Sequence, residues 1–582
     1  MTNDRTDSLK HDSRQSLNRG ADRLALAMKL AGVEVVFSLS GNQIMPLYDA
    51  LFDTDIRIVH TRHEAAAVFM AEAYASVTGK PAIALVTAGP GFGNALGALY
   101  SSLMSEVPVI LLSGDSPISR DGQGPFQEMD QRTAASPFVK AGFRLSNEDD
   151  PFVVFSNAID IAMNGIPGPV HLALPADTLT ANQQPGIESY FDGTHDRGIS
   201  SINDDHQKSP DRPDREDWSE IVSRIRNSNR PLILTGPHLF RAERQGNREL
   251  LSHGLNTPVI ILDSPRGLRD PAQGALANVI QEADCLVYLG KPIDFTSGFG
   301  LHTAESAREF IVITDDGKIQ QRAQECSHEK PLLSVPLSPV KAVTSILGYL
   351  AAENDRDFSS KESPGDNSRI RWCEFVENAL AHRELASHDS SSLYSKNVVQ
   401  CVQEALHELP DSILVCDGGE FGQWSQAFAS SETRLTNGPG GAIGGGLPYA
   451  IGAKIGRPDA TVIAFMGDGT VGFHLAEFET ASRENVDITV VIGNDSRWNA
   501  EHHIQTRDYG LGRTHGCGLG DNIRYDIVAK GLGCEGVFAE TIDELRQGLK
   551  LSQRSGRPTC LNVIIPGAPA PVYKEFDFEE SS

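Results

Sequence analysis

The sequence is short of positive charge, of cysteine and of long apolar runs, and each shortage removes a class of function. Lysine and arginine number 51 against 77 aspartates and glutamates, for a net charge of −26. So acidic a chain suits neither nucleic acid nor an anionic membrane surface, and an anionic ligand would need local donors or a metal. No stretch approaches the ~18 uninterrupted apolar residues of a membrane span. The opening "MTNDRTDSLKHDSRQSLNRG" lacks a signal peptide's apolar core and reads as a disordered tail. The eight cysteines are scattered without a CxxC, which fits reduced, mostly buried thiols and a cytoplasmic protein. No short-period repeat is evident. No GxGxxG follows a strand with an acidic residue about 20 positions on, which counts against a Rossmann dehydrogenase.

What remains is an ordinary globular composition, 40% hydrophobic and 22% charged over 582 residues, with room for about three or four domains. Two polar, proline-bearing stretches divide it. The expected organisation is a tail over 1–19, a first block over 20–192, a linker over 193–217 and a central block over 218–351. A second linker over 352–370, a third block over 371–567 and a tail over 568–582 complete it. Short β-branched runs such as "PAIALVTAG", "RPLILTG" and "SILVCDGGE" alternate with helical patterns in every block. Three α/β domains with doubly wound parallel sheets are the economical reading.

The most informative stretch is "ATVIAFMGDGTVGFHLAEFETASRENVDITVVIGND", Ala460 to Asp495. It reads as strand, glycine turn, helix, strand, with Leu475, Phe478 and Ala481 on one helical stripe. In a βαβ unit both strand C-termini lie on one sheet edge, which brings Asp468 and Asp495 together. The glycine turn turns backbone N–H groups toward a phosphate, and two aspartates beside it are hard oxygen ligands for Mg²⁺. The plain alternative is a tight turn with two solvated aspartates.

In the first block, "TRHEAAAVFM" sets Glu64 at a helix start among apolar residues. A carboxylate there either caps the helix or sits desolvated. The turn "TAGPGFGNAL" needs close backbone approach to another helix or to a ligand.

Taken together, Glu64, "TAGPGFGNAL", "GPFQEMDQ", "GGGLPYAIGAK" and "GDGT…GND" resemble thiamine diphosphate enzymes of the acetohydroxyacid synthase type, and "TRHEAAA" is also similar to benzaldehyde lyase. The resemblance runs from about Gly20 to about Gly567 and implies a pyrimidine-binding, a central and a diphosphate-binding domain. It also implies an active site shared between two subunits, in a homodimer or homotetramer. Glu64 matches the glutamate that hydrogen-bonds the aminopyrimidine ring and favours the imino form that removes the thiazolium proton. Asp468, Asp495 and the carbonyl of Arg497 match the metal ligands, although Asp495 stands where the family usually has Asn. Ile443 matches the residue that holds the cofactor bent. Gly419, Glu420 and Phe421 fall where the diphosphate is contacted, with Gly467, Gly469 and Thr470 completing the cradle. Glu420 fits poorly, because a donor is common there.

For the reaction, the first block has no His-His pair of the pyruvate decarboxylase type. Gln43 aligns with an active-site histidine of benzaldehyde lyase, and Gln127 matches a glutamine shared by the synthase and the lyase. An amide-lined, acid-poor pocket favours carboligation over simple decarboxylation. His502, beside His503 in "WNAEHHIQ", is a candidate acid; the plain alternative is two surface histidines. The central block's "DCLVYLGKPIDFTSGFG" lies where some relatives hold FAD or an ADP group, but a domain without nucleotide is favoured over bound flavin. The expected activity is a carboligase or lyase on 2-oxo acids or 2-hydroxy ketones. The alternatives are a 2-oxo acid decarboxylase, a 2-hydroxyacyl-CoA lyase, or a non-catalytic cofactor-binding regulatory subunit.

Overall fold

A computed structural model describes residues 19–182, 215–303, 309–327, 332–354, 366–382, 393–407, 409, 411–521 and 523–571. Most of the two expected linkers and of the two tails lies outside these residues. Within them the β-branched runs form strands, because such side chains pack well on a pleat buried on both faces. The first block supplies β1 (Val35–Ser38), β2 (Arg57–His60), β3 (Ala82–Val86), β4 (Val109–Asp115), β5 (Ala141–Arg144) and β6 (Val170–Pro175). The central block supplies β7 (Pro231–Thr235), β8 (Val259–Ile261), β9 (Cys285–Leu289), β10 (Glu309–Ile313) and β11 (Leu332–Val335). The third supplies β12 (Ser412–Cys416), β13 (Thr433–Thr436), β14 (Thr461–Gly467), β15 (Ile488–Asn494), β16 (Glu535–Ala539) and β17 (Thr559–Ile564).

The sheet orders are β2-β1-β3-β4-β6-β5, β11-β10-β9-β7-β8 and β13-β12-β14-β15-β17-β16. Every pairing in them is parallel. The chain therefore has three parallel-sheet α/β domains, as the alternating pattern predicts.

Side chains alternate between the two faces of each sheet. Ala82, Ala84 and Val86 of β3 face a core that also holds Val462, Ala464 and Met466 of β14. Ile83 and Leu85 face the opposite side, against Leu24 and Met28. The first and third domains thus share one continuous core, joined where helix Glu64–Thr78 lies on helix Gly446–Gly456. A Cβ on Gly452 would sit 2.2 Å from the Met70 carbonyl oxygen, so the glycine permits that approach.

The boundary expected at 370/371 falls inside helix Asp366–Ala381. Trp372, Phe375, Val376 and Ala379 of this helix pack in the central core with Leu232 and Tyr288. The core of the third domain begins instead at helix Ser395–His407, where Val398 and Val402 enter it. All eight cysteines are unpaired, and only Cys373 is not buried. Among the described residues no helix is long and apolar enough to cross a membrane.

Candidate functional site

Gly467 of β14 and Gly493 of β15 are partners in the ladder, so Asp468 and Asp495 leave the same sheet edge. The side chain-free strand end is required: a Cβ on Gly493 would lie 2.4 Å from the Phe421 ring, and one on Gly469 would lie 2.8 Å from that of Trp498. The helix expected to carry Leu475, Phe478 and Ala481 spans Glu477–Arg483 and so leaves Leu475 outside it, and Asp468–Val471 forms a separate helical turn. Around this edge is a cavity of about 130 Å³. Gly419, Glu420, Phe421, Ile443, Gly467, Asp468, Gly469, Thr470, Asp495 and Arg497 all line it. Ten residues drawn from four separate segments meet in one place.

The cavity is acid-rich. Asp468 Oδ1 accepts the Gly469 N–H at 3.0 Å, while its buried Oδ2 has no hydrogen-bond partner. Burial pushes the Asp468 carboxyl up to about 6, outweighing the N–H groups of Gly469, Ser496 and Arg497 nearby. Asp495 is pushed up to about 7, by burial first and then by the charge of Asp468. Two buried carboxylates, Asp495 raised in part by the charge of Asp468 and Asp468 with an orphaned oxygen, form a donor set that a hard divalent cation relieves. Arg497 Nε donates to the Asp495 carbonyl at 3.2 Å, and Arg266 reaches the cavity from the central domain. Arg266 lies in "DSPRGLRDPAQG", a stretch with no motif to single it out.

Asp417 is the organiser that the sequence does not reveal. Its buried carboxylate accepts the N–H groups of Gly418 at 2.6 Å, Gly444 at 3.1 Å and Gly446 at 3.2 Å. It thereby pins two glycine loops to one point, and burial raises its pKa to about 6. Ile443 fits where Gly418 has no side chain, since a Cβ there would lie 2.5 Å from Ile443 Cγ2. Glu420 acts here as an acceptor. It accepts the backbone N–H of Ala570, so its carboxylate is committed to the C-terminal segment, and burial raises its pKa. That segment is also held by Asn499, whose Nδ2 donates to the Ala568 carbonyl at 3.1 Å.

The first-domain residues form a second group. Glu64 opens its helix but does not cap it: His63 Nδ1 accepts the Ala65 N–H at 3.1 Å. Glu64, buried, instead accepts from Asn94 Nδ2 at 3.0 Å. Thr87 Oγ1 donates to Gln43 Oε1 at 2.6 Å, and Gln43 Nε2 donates to Gln127 Oε1 at 2.8 Å. The glycine turn "TAGPGFGNAL" approaches these groups: a Cβ on Gly89 would lie 3.0 Å from Gln127 Cβ, and one on Gly91 would lie 3.3 Å from Glu64 Oε1. None of Glu64, Gln43 and Gln127 lines the cavity around Asp468. Nor does His502, which lies one position past the last lining residue, Glu501, with its ring 5.8 Å from that of His503.

In the central domain the strand order reverses between β7 and β9, the place where such sheets take ligands. Here a carboxylate of the chain itself fills that crevice. A Cβ on Gly236, just after β7, would lie 2.3 Å from both carboxylate oxygens of Glu106. His238 Nδ1 meets Glu106 Oε2 at 2.5 Å, and His238 and Lys291 hold the Glu106 carboxyl below its ordinary range despite full burial.

Residues 18–134 match the family model described as the thiamine pyrophosphate enzyme N-terminal TPP binding domain. Residues 417–563 match that of the C-terminal TPP binding domain. The chain is 28% identical to a Mycobacterium bovis protein described as a probable acetolactate synthase, covering 93% of this chain and 94% of the other. It is likewise 28% identical to human 2-hydroxyacyl-CoA lyase 2, covering 94% and 90%. A solved structure, the thiamine diphosphate-dependent 4-hydroxybenzoylformate decarboxylase of Rhodococcus jostii, superposes with a TM-score of 0.74 at 23% identity, covering 96% of this chain and 100% of that one.

Proposed function

We propose that this chain, which belongs to the thiamine pyrophosphate-dependent enzymes, is a thiamine diphosphate- and Mg²⁺-dependent carboligase or lyase of acetolactate synthase type, acting on 2-oxo acids or 2-hydroxy ketones. The observation that carries it is the meeting of Asp468, Asp495, Gly469, Thr470 and Ile443 in one cavity at two parallel strand ends. Thiamine diphosphate, when bound, supplies an acidic ring carbon and an electron sink for making and breaking C–C bonds. Asp468, Asp495 and the Arg497 carbonyl would hold Mg²⁺. The helical turn Asp468–Val471 would face its N–H groups to the diphosphate. Ile443, wedged over Gly418, would support the cofactor's bend. Glu64 would hydrogen-bond the pyrimidine ring nitrogen and share a proton there.

Gln43 and Gln127 favour ligation. Amides orient a carbonyl by hydrogen bonding and do not release protons near neutral pH, so a second carbonyl competes well as the final acceptor. Separation of Glu64, Gln43 and Gln127 from the Asp468 cavity supports assembly with a second copy, the first domain of one facing the third domain of the other, in a homodimer or homotetramer. Eight unpaired cysteines support a cytoplasmic location. A 2-hydroxyacyl-CoA lyase is the second reading, supported by the near-equal identity to that relative.

A product screen tests the proposal. Pyruvate, benzoylformate, 2-hydroxy ketones and acyl-CoA thioesters are supplied with thiamine diphosphate and Mg²⁺, and products are identified by mass. Acyloin formation is expected. Aldehyde and CO₂ alone would make the chain a decarboxylase, and turnover confined to acyl-CoA thioesters would make it the lyase.

A further inference from the structure

A second cavity, of about 740 Å³, opens where the three domains meet, and it shares no residue with the cavity around Asp468. Its walls come from helix Glu64–Thr78, from the segment after β7 and from the region around β13.

Charges of both signs line it, with Glu72, Glu249, Asp263 and Glu432 on the acidic side. Three arginines face it. Arg434 is neutralised by Asp263, at 3.1 Å. Arg241 and Arg248 form no ion pair among the described residues. Arg241 Nη1 is held by the carbonyls of Ser105 at 2.7 Å and Glu106 at 3.5 Å, and Arg248 Nε by that of Val259 at 3.1 Å. Both guanidiniums are crowded enough that desolvation lowers their pKa, yet Arg248 remains open to solvent. Crowded and wet at once describes a group on a concave wall. Of the acids that line the cavity, Glu72 is pushed up to about 7 by burial and carries little charge below that pH. Glu249 and Glu432 also line the cavity and are exposed, as Arg248 is. Arg241 and Arg248 are thus the two guanidiniums of the lining without an ion pair among the described residues. Gln426 adds a buried Oε1 with no hydrogen-bond partner.

We propose that this cavity is a binding site for a small oxyanion, carboxylate or phosphate, held by Arg241 and Arg248. Unpaired guanidiniums recognise planar carboxylates and phosphates through two parallel N–H bonds. The orphaned acceptor of Gln426 adds a preference for a ligand that also carries a hydroxyl. Size is limited on one side, because Glu106 already fills the adjoining crevice between β7 and β9 and leaves a dinucleotide no phosphate position there.

The test uses the full chain saturated with thiamine diphosphate and Mg²⁺, titrated by calorimetry at fixed ionic strength with inorganic phosphate, malate and succinate in turn. Phosphate separates the phosphate source from the carboxylate source, and malate against succinate isolates the hydroxyl. Saturable binding of phosphate or of a dicarboxylate is expected. Arg248→Gln should weaken it about tenfold or more, the scale of one charge-assisted hydrogen bond. Arg248→Lys should fall between, and the distant surface change Lys550→Gln should leave it unaltered. Absence of saturable binding by all three anions overturns the proposal, as does an unchanged Kd in Arg248→Gln.

Discussion

Gln43 donates its side-chain N–H to Gln127 across 2.8 Å, the second link of a chain that orients both amides. Thr87 already donates to Gln43 Oε1, so Gln43 must present Nε2, and Gln127 must answer with Oε1. The N–H₂ of Gln127 is left over as a donor. Gln127 holds this pose with φ at +62°, a left-handed conformation that costs a non-glycine residue about 1 kcal/mol. Gln127→Ala should lower kcat/KM for a 2-oxo acid by about ten- to a hundredfold, the cost of one lost substrate hydrogen bond. Cofactor affinity, measured by tryptophan fluorescence quenching, should stay within about twofold. A parallel loss of cofactor affinity would place Gln127 in the scaffold instead.

Glu64→Gln should preserve the fold, because glutamine can still accept from Asn94 Nδ2 through its Oε1. It cannot share a proton with the pyrimidine ring, so turnover should fall by at least about a hundredfold. Thermal midpoints of the two proteins, and deuterium exchange at thiazolium C2 followed by quench and NMR, are the measurements. Equal exchange rates would remove Glu64 from the proton path.

Thiamine diphosphate should bind only with a divalent cation, since the four carboxylates at the cavity, Glu420, Asp468, Asp495 and Glu501, repel the diphosphate. Asp468→Ala should abolish that binding in calorimetry. Asp495→Asn should be tolerated, because it removes one of two mutually repelling charges and keeps an oxygen ligand. Equal binding with and without EDTA is the outcome that counts against a metal.

Glu72 supplies a pH signature of stability. Its carboxyl is fully buried, accepts the Ser102 hydroxyl at 3.0 Å and rises from its ordinary 4.5 to about 7. The folded state therefore holds a proton that the unfolded chain has released. Glu72 makes its full contribution below about pH 4.5 and loses it as pH rises toward about 7. The loss is on the order of 3 kcal/mol. Glu72→Gln should flatten this decline in urea unfolding measured from about pH 4 to about pH 8, a window that spans both limits of the transition. An undiminished slope in the variant would assign the decline to other groups.

Much of this site is legible in the sequence because its physics is local. β-branched runs mark the strands, and parallel pairing then carries Asp468 and Asp495 to one edge whatever separates them in the chain. Contacts made at a distance leave no such trace. Nothing around Asp417 announces that it will bind Gly444 and Gly446, and nothing near Glu420 announces Ala570. Helix Asp366–Ala381 follows a polar stretch and looks like the start of a new domain, yet Trp372 donates its indole N–H to the Pro231 carbonyl at 2.8 Å and belongs with the central one. His502 illustrates the converse. Nearness in sequence to the Asp495–Arg497 loop does not by itself make a residue part of the cavity lining, which ends at Glu501.

Glu106 gives the chain an order of assembly. The crevice after β7 is built to receive an anion, and the anion is part of a domain that leaves the ribosome earlier. When residues 231–335 emerge, the carboxylate that meets His238 Nδ1 already belongs to the first domain. A circular permutant that begins with the central domain reverses the sequence of events: it must fold with His238 lacking its Glu106 partner until the first domain follows.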